Sequence, residues 1–218
     1  MKKVFLLITV LFVSVISTAC INNLAVQELN NKAKEYMANG EIEKAICRLR
    51  SSIDLDTSIF ETHYNLGVAL IENKEYKEAQ SALEEAIKLK PDFADSYYSL
   101  AMALEYQADD IINGTTEEDR AKNNDDTDAE ETAKASQKAQ EKIQLSETEK
   151  NQIVGLLNSA VENYNKYLSQ KPDAQDKAKV EEQIRYLNTK LQQYNTVKNT
   201  SLTDVDNISP STSESDED

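Results

Sequence analysis

Apolar residues recur at helical spacing along most of the chain. Over Phe60–Phe93, FETHYNLGVALIENKEYKEAQSALEEAIKLKPDF, the apolar and small positions Leu66, Gly67 and Leu70 form one cluster. Tyr76, Ala79, Leu83 and Ala86 form a second, in steps of three and four. The polar stretch Glu72–Glu75 separates them. Pro91 closes the segment, because proline cannot continue a helix and disfavours helix in the residue before it. The pattern predicts two helices joined by a short turn. A weaker version occupies Val26–Ile59, and a third opens with Tyr97, Tyr98, Leu100, Ala101 and Leu104. That third version is then interrupted by acid, amide and threonine with almost nothing to bury.

The three versions are one repeat. At an offset of 34, Ala33 aligns with Gly67 and Ala101, Tyr36 with Leu70 and Leu104, and Tyr64 with Tyr98. Ala45 aligns with Ala79, Leu49 with Leu83 and Ile42 with Tyr76. The missing second helix of the third copy resumes later. Ala79 matches Ala160, Leu83 matches Tyr164, and Pro91-Asp92 matches Pro172-Asp173, all at an offset of 81, which exceeds the repeat by an insertion of 47 residues.

Both flanks of the insertion carry helix signals. Ala108, Ile111 and Ile112 continue the stripe of Leu104, and Asn113-Gly114 is a natural stop. Ile153, Leu156 and Leu157 extend the second helix backwards, and Ser146-x-x-Glu149 reads as its capping box. The two helices should overrun the usual turn by one to three turns and pack as a protruding hairpin. Thr115 to about Thr127 is too polar to offset its ordering entropy, and Asp128–Leu145 reads as a partly formed polar helix. Ala174–Tyr194, with Val180, Ile184, Leu187 and Leu191 on one stripe, reads as a capping helix, and Asn195–Asp218 as a disordered acidic tail.

A 34-residue helix–turn–helix unit with this Leu-Gly, Tyr, Ala, Leu, Ala and Pro spacing resembles the tetratricopeptide repeat. His63 fills the slot usually held by Trp, and Lys32, Ser52 and Thr57 depart from the motif in the first copy. The resemblance implies an all-α solenoid of helical hairpins within 24–194, built of about three repeats and a cap. The repeats are 26–59, 60–93 and a split 94–107 plus 156–173, with the insertion at about 108–155 and the capping helix at 174–194. Small residues let the helices of a unit approach, and large ones fill the space between units.

The resemblance also implies a partner-binding groove along the first helices. Its residues would be Asn30, Lys34 and Met37, then Tyr64, Asn65, Val68 and Ile71, then Tyr98, Ser99, Met102 and Tyr106. Tyr and Met suit a protein or peptide partner, although Tyr64 and Tyr98 are also common repeat residues at those positions. Some family members grip acidic chaperone tails with a Lys, Asn and Arg clamp. Only Asn65 fits that clamp, and Asn30, Lys34, Asp95 and Ser99 depart from it, so that role is not expected.

The N-terminus has a different pattern. Met1-Lys2-Lys3 precedes an apolar run from Val4 to Ile16, and Ser17-Thr18-Ala19-Cys20 follows. The run is shorter than the roughly 20 residues of a spanning helix. An uncleaved anchor is the alternative to a secretory signal. The segment resembles a bacterial lipoprotein signal peptide, which implies removal of 1–19 and acylation of Cys20 with diacylglycerol and a fatty acyl chain such as palmitate. Ile21 after the Cys implies the outer membrane, on its periplasmic side or at the surface. Residues 20–23 would be the tether, which at about 3.4 Å per residue leaves the domain roughly 10–15 Å from the lipid.

Charge and chemistry narrow the function. Ala108–Glu149 carries −8 and Thr196–Asp218 carries −5 of the net −15, so the repeat region is close to neutral. No basic face is available to neutralise phosphates, which argues against nucleic acid. His63 is the only histidine, which excludes a His-based triad within the chain and leaves too few Cys/His ligands for zinc. The run NNDDTDAEE has Ala129 where a calcium loop needs Gly and Ala135 where it needs Glu. There is no Gly-rich phosphate loop. With Cys20 acylated, Cys47 has no partner in the chain and is expected to pack on a helix.

The expectation is a lipoprotein scaffold for protein–protein interaction in envelope assembly or transport. It would use no cofactor beyond its lipid and no evident small-molecule substrate. A surface lipoprotein whose acidic insertion meets host or neighbouring components is the alternative, and an envelope enzyme a weaker one.

Overall fold

The computed structural model describes residues 23–114 and 145–203, with side chains described as far as residue 194. The expected signal segment with Cys20, the expected disordered stretch and polar helix inside the insertion, and the end of the expected tail lie outside the described residues. The described residues form seven helices and contain no strand. They are α1 (23–38), α2 (Ile42–Leu55), α3 (Phe60–Glu72), α4 (Tyr76–Leu89), α5 (Ala94–Asn113), α6 (Glu147–Gln170) and α7 (Lys177–Thr203). From α2 onward each helix packs against the next, and α3 also touches α5. The expected all-α solenoid of hairpins is therefore the observed fold, with α5 and α6 as the two halves of the split repeat.

Within each hairpin a small residue faces a large one. Ala33, Gly67 and Ala101 are buried on the first helices, as are Leu49, Leu83 and Tyr164 on the second. The approach in the middle unit is close. A Cβ on Gly67 would lie 2.8 Å from Leu83 Cδ2 and closer still to its Cγ. Burying a leucine side chain such as Leu49 or Leu83 stabilises the fold by about 1.5–3 kcal/mol.

Three devices end the helices. Hairpins one and two turn through the left-handed residues Gly40 (φ 76°) and Lys74 (φ 63°), one repeat apart. The Glu41 amide donates to Tyr36 O and the Glu75 amide to Leu70 O, the long bond of a Schellman turn. After α4 the stop is Pro91, as expected. After α2, where Thr57 stands in place of that proline, Asp56 Oδ1 accepts from the Ser58 amide (2.8 Å) and hydroxyl (2.6 Å). This Asx turn closes the helix instead, and the Ser58 hydroxyl and amide hold the Asp56 carboxyl below its usual range.

The third hairpin overruns as expected. α5 has 20 residues against 13 in α3, and α6 has 24 against 14 in α4. Gly114, at φ 64°, caps α5 in the left-handed region. Ser146 and Glu149 form the predicted capping box: Ser146 Oγ accepts from the Glu149 amide, and the Glu149 carboxylate accepts from the Ser146 amide. Ala108, Ile153 and Leu157 are fully buried between the extensions.

Three expectations need correction. The last helix starts at Lys177 rather than Ala174, because the chain makes a second turn at Gln175-Asp176. It also runs on to Thr203, nine residues into the expected tail. Propagation adds a hydrogen bond per residue once a helix is nucleated, and no Gly or Pro stops it before Pro210. Cys47 is exposed on α2 rather than packed. Its equivalent one repeat later, Ser81, is exposed too, so the position faces outward in both units.

Candidate functional site

The contact between α3 and α5 puts the first helices of neighbouring hairpins side by side, as one inner layer. In solenoids of this type that layer is the concave binding surface. Most of the groove residues read from the sequence lie on it, half-buried: Met37 on α1; Tyr64, Asn65, Val68 and Ile71 on α3; Tyr98, Met102 and Tyr106 on α5. Lys34 is exposed. The tyrosine rings rest on other aromatics. Tyr64 meets Phe93 edge-on at 5.0 Å, Tyr98 lies 5.6 Å from Tyr164 and 5.2 Å from Tyr167, and Tyr106 lies 5.0 Å from Tyr76. Fixed rings lose little freedom when a partner binds, which suits an anchor.

Two of the predicted positions do not face a partner. Asn30 is buried in the seam between the first two hairpins. Its Nδ2 lies 2.9 Å from Ser52 Oγ, 2.8 Å from Thr62 Oγ1 and 2.9 Å from Val26 O. Asn30 occupies the repeat position of Tyr64 and Tyr98. A tyrosine is long enough to emerge from the seam there, whereas the short amide ends inside it, where two hydroxyls receive it. Ser99 is buried as well, within hydrogen-bonding reach of the Tyr64 hydroxyl.

The layer deepens into a cleft of about 170 Å³ where α5 meets the capping helix. Tyr98, Met102, Glu105 and Tyr106 of α5 form one wall, and Tyr164 of α6 reaches in beside them. Lys179, Val180 and Gln183 of α7 form the other wall. Glu105 is buried. Its Oε2 accepts from the Tyr164 hydroxyl at 3.1 Å and its Oε1 from the Gln183 amide. Burial pushes the Glu105 carboxyl above its usual range, with Asp109 adding to the shift, while the bonds from Tyr164 and Gln183 and the charge of Lys190 hold it back. Burial and the neighbouring carboxylate push the Tyr164 hydroxyl up, so at neutral pH it is a donor. Among the described residues no group of three or more His, Cys, Asp or Glu side chains is placed to hold a metal ion.

The cleft unites Tyr98, Met102 and Tyr106, which the sequence proposed together, with residues it did not propose. Glu105 was legible: it stands one repeat after Ile71 and two after Met37, both read as groove positions. A carboxylate at an otherwise apolar repeat position was the signal. Gln183 and Lys179 come from α7, which has no counterpart in the repeat, so no internal alignment reaches them.

The class is thus a solenoid of helical hairpins with one aromatic inner layer. The tetratricopeptide repeat family model matches residues 60–93, the middle hairpin. Solved structures extend the likeness over most of the chain. The Sgt2 TPR domain from Aspergillus fumigatus is similar at 13% identity and a TM-score of 0.51, covering 88% of this chain and 89% of that one. The first TPR domain of human RPAP3 is similar at 15% identity and a TM-score of 0.51, over 78% of this chain and 95% of that one. The second TPR domain of human RPAP3, in complex with the HSP70 peptide SGPTIEEVD, is similar at 13% identity and a TM-score of 0.51, over 75% and 98%. At these identities the likeness is one of fold. No curated protein matches the chain. One repeat of the chain thus matches the tetratricopeptide repeat in sequence, and the fold of such domains extends over most of the chain.

Proposed function

We propose that this chain is a protein-interaction scaffold that holds one peptide or helical segment of a partner along its inner layer. Acyl chains on Cys20 would tether it to a bacterial envelope membrane, with Ile21 favouring the outer one. The observation that carries the reading is the row of half-buried Tyr64 on α3 and Tyr98, Met102 and Tyr106 on α5, its rings held by aromatic contacts but not sunk in the core. The HSP70 peptide held by the second TPR domain of human RPAP3 supports a peptide as the kind of ligand. An acidic peptide end of that type does not suit this layer, which carries Asp95 and Glu105 on α5.

Photocrosslinking amino acids at Tyr64, Tyr98 and Met102 should capture one and the same partner in the native host, with none captured from Ser81 on the outer face. Capture only from Asp125 and Asp128 in the insertion would overturn the groove reading. Each buried methylene of an acyl chain contributes about 0.8 kcal/mol to anchoring, and two or more chains make it stable. Cys20→Ala should therefore move the protein from the membrane fraction to the soluble fraction. Unchanged membrane association would overturn the lipid tether.

A further inference from the structure

The cleft between α5 and α7 has a chemistry of its own within the inner layer. It places an ionisable carboxylate, Glu105, beside the rings of Tyr98, Tyr106 and Tyr164 and the thioether of Met102. Each oxygen of Glu105 has one partner, Tyr164 on one side and Gln183 on the other. A carboxylate offers about four lone-pair positions, so both oxygens can accept further donors. The fixed partners are both donors, so they hold the carboxylate in place without neutralising it. Aromatic faces attract cations, arginine most often, because the ring quadrupole is negative above the plane. The planar guanidinium stacks on rings and presents forked donors that match a carboxylate. A volume of about 170 Å³ admits one large side chain and little more.

We propose that this cleft is an arginine subsite: an arginine side chain of the bound peptide enters between α5 and α7, stacks on the tyrosines and donates to Glu105. The inference rests on the scaffold reading and adds which residue of the partner is read. Lys179, exposed on the α7 wall, is the cation already at the rim. It would oppose the incoming charge.

The test is a titration of the folded chain, followed by NMR, with N-acetyl-arginine amide and with its neutral counterpart N-acetyl-citrulline amide. The arginine compound should shift the resonances of Tyr98, Met102 and Tyr106, and the citrulline compound should leave them in place. Glu105→Gln keeps the shape and the bond to Tyr164 but loses the charge. It should weaken binding about tenfold, the factor that corresponds to 1.4 kcal/mol. Lys179→Glu, at an exposed position, should strengthen it, and serves equally if Glu105→Gln fails to fold. Equal response to arginine and citrulline, or indifference to the charge at both 105 and 179, overturns the subsite. A partner still crosslinked from Tyr64 and Met102 but unaffected by these variants would overturn the subsite while leaving the scaffold reading intact. Loss of all groove crosslinking would instead remove the scaffold reading.

Discussion

The second and third hairpins share a plan and part at the end of their first helix. In the second, the chain leaves α3 through Lys74 in the left-handed conformation and is in α4 by Tyr76. One repeat later that position is Ala108, which is helical and fully buried. With no left-handed residue there, α5 continues until Gly114 supplies one. The length of each hairpin's first helix is thus set by where a left-handed residue falls, while the packing motif sets only which helices pair. The longer pair is then secured along its extra length. Ile153 and Leu157 fill the gap between the helices, and Lys190 of α7 reaches Asp109 as an ion pair. At the other end Gln170 donates to Pro91 O at 2.8 Å and Lys171 pairs with Asp95.

Three variants press on this contrast. The largest effect is expected at Ile153, which is fully buried outside the repeat itself. Ile153→Ala should cost about 2–5 kcal/mol in denaturant unfolding, as large-to-small changes in a core do. A cost close to zero would make the extended hairpin an ornament rather than part of the core. Next is Gly67→Ala, which overpacks the middle hairpin against Leu83 and should cost about 1–3 kcal/mol. Ala101, its counterpart in the third hairpin, already carries the extra carbon, so equal tolerance at 67 would mean the two helix pairs are equally spaced. The smallest effect has the opposite sign. Lys74→Gly relieves a left-handed non-glycine residue and should raise the unfolding midpoint, by about 0.5–1 kcal/mol in stability. No gain would mean that the turn at 74 is not under strain.

Much of this architecture was legible from the chain. The 34-residue offset placed the hairpins, and three markers at an offset of 81 placed the delayed partner helix. Ser146 and Glu149 start a helix and Gly114 stops one, as their types suggest, because capping is local chemistry and needs no tertiary context. The groove was legible in part. Tyr64, Tyr98, Met102 and Tyr106 follow from the repeat, but Asn30 was assigned by its position and is buried by its length. Glu105 stands in the groove register of Ile71, next to Tyr106. Its role depends on Tyr164, which stands where the second hairpin has Leu83, and on Gln183 from a helix outside the repeat. Such pairings join residues 59 and 78 positions apart, and no periodicity reports them.

The Asn30 seam bears on how such a chain can evolve. At the first junction Asn30, Ser52 and Thr62 meet through hydrogen bonds. At the second the equivalent residues are Tyr64, Ala86 and Ser96, and the Ser96 hydroxyl is buried without a partner. At the third, Tyr98 stacks on Tyr167, whose hydroxyl donates to Asp176. Each junction is cut to a different key. Placing the first unit before the third would set Asn30 and Ser52 against Ser96, and repeating the second would set Thr62 against Tyr64 and Ala86, where its hydroxyl loses both present partners. The order of the units is therefore written into their edges, and the array resists the lengthening by copying through which repeat proteins commonly grow.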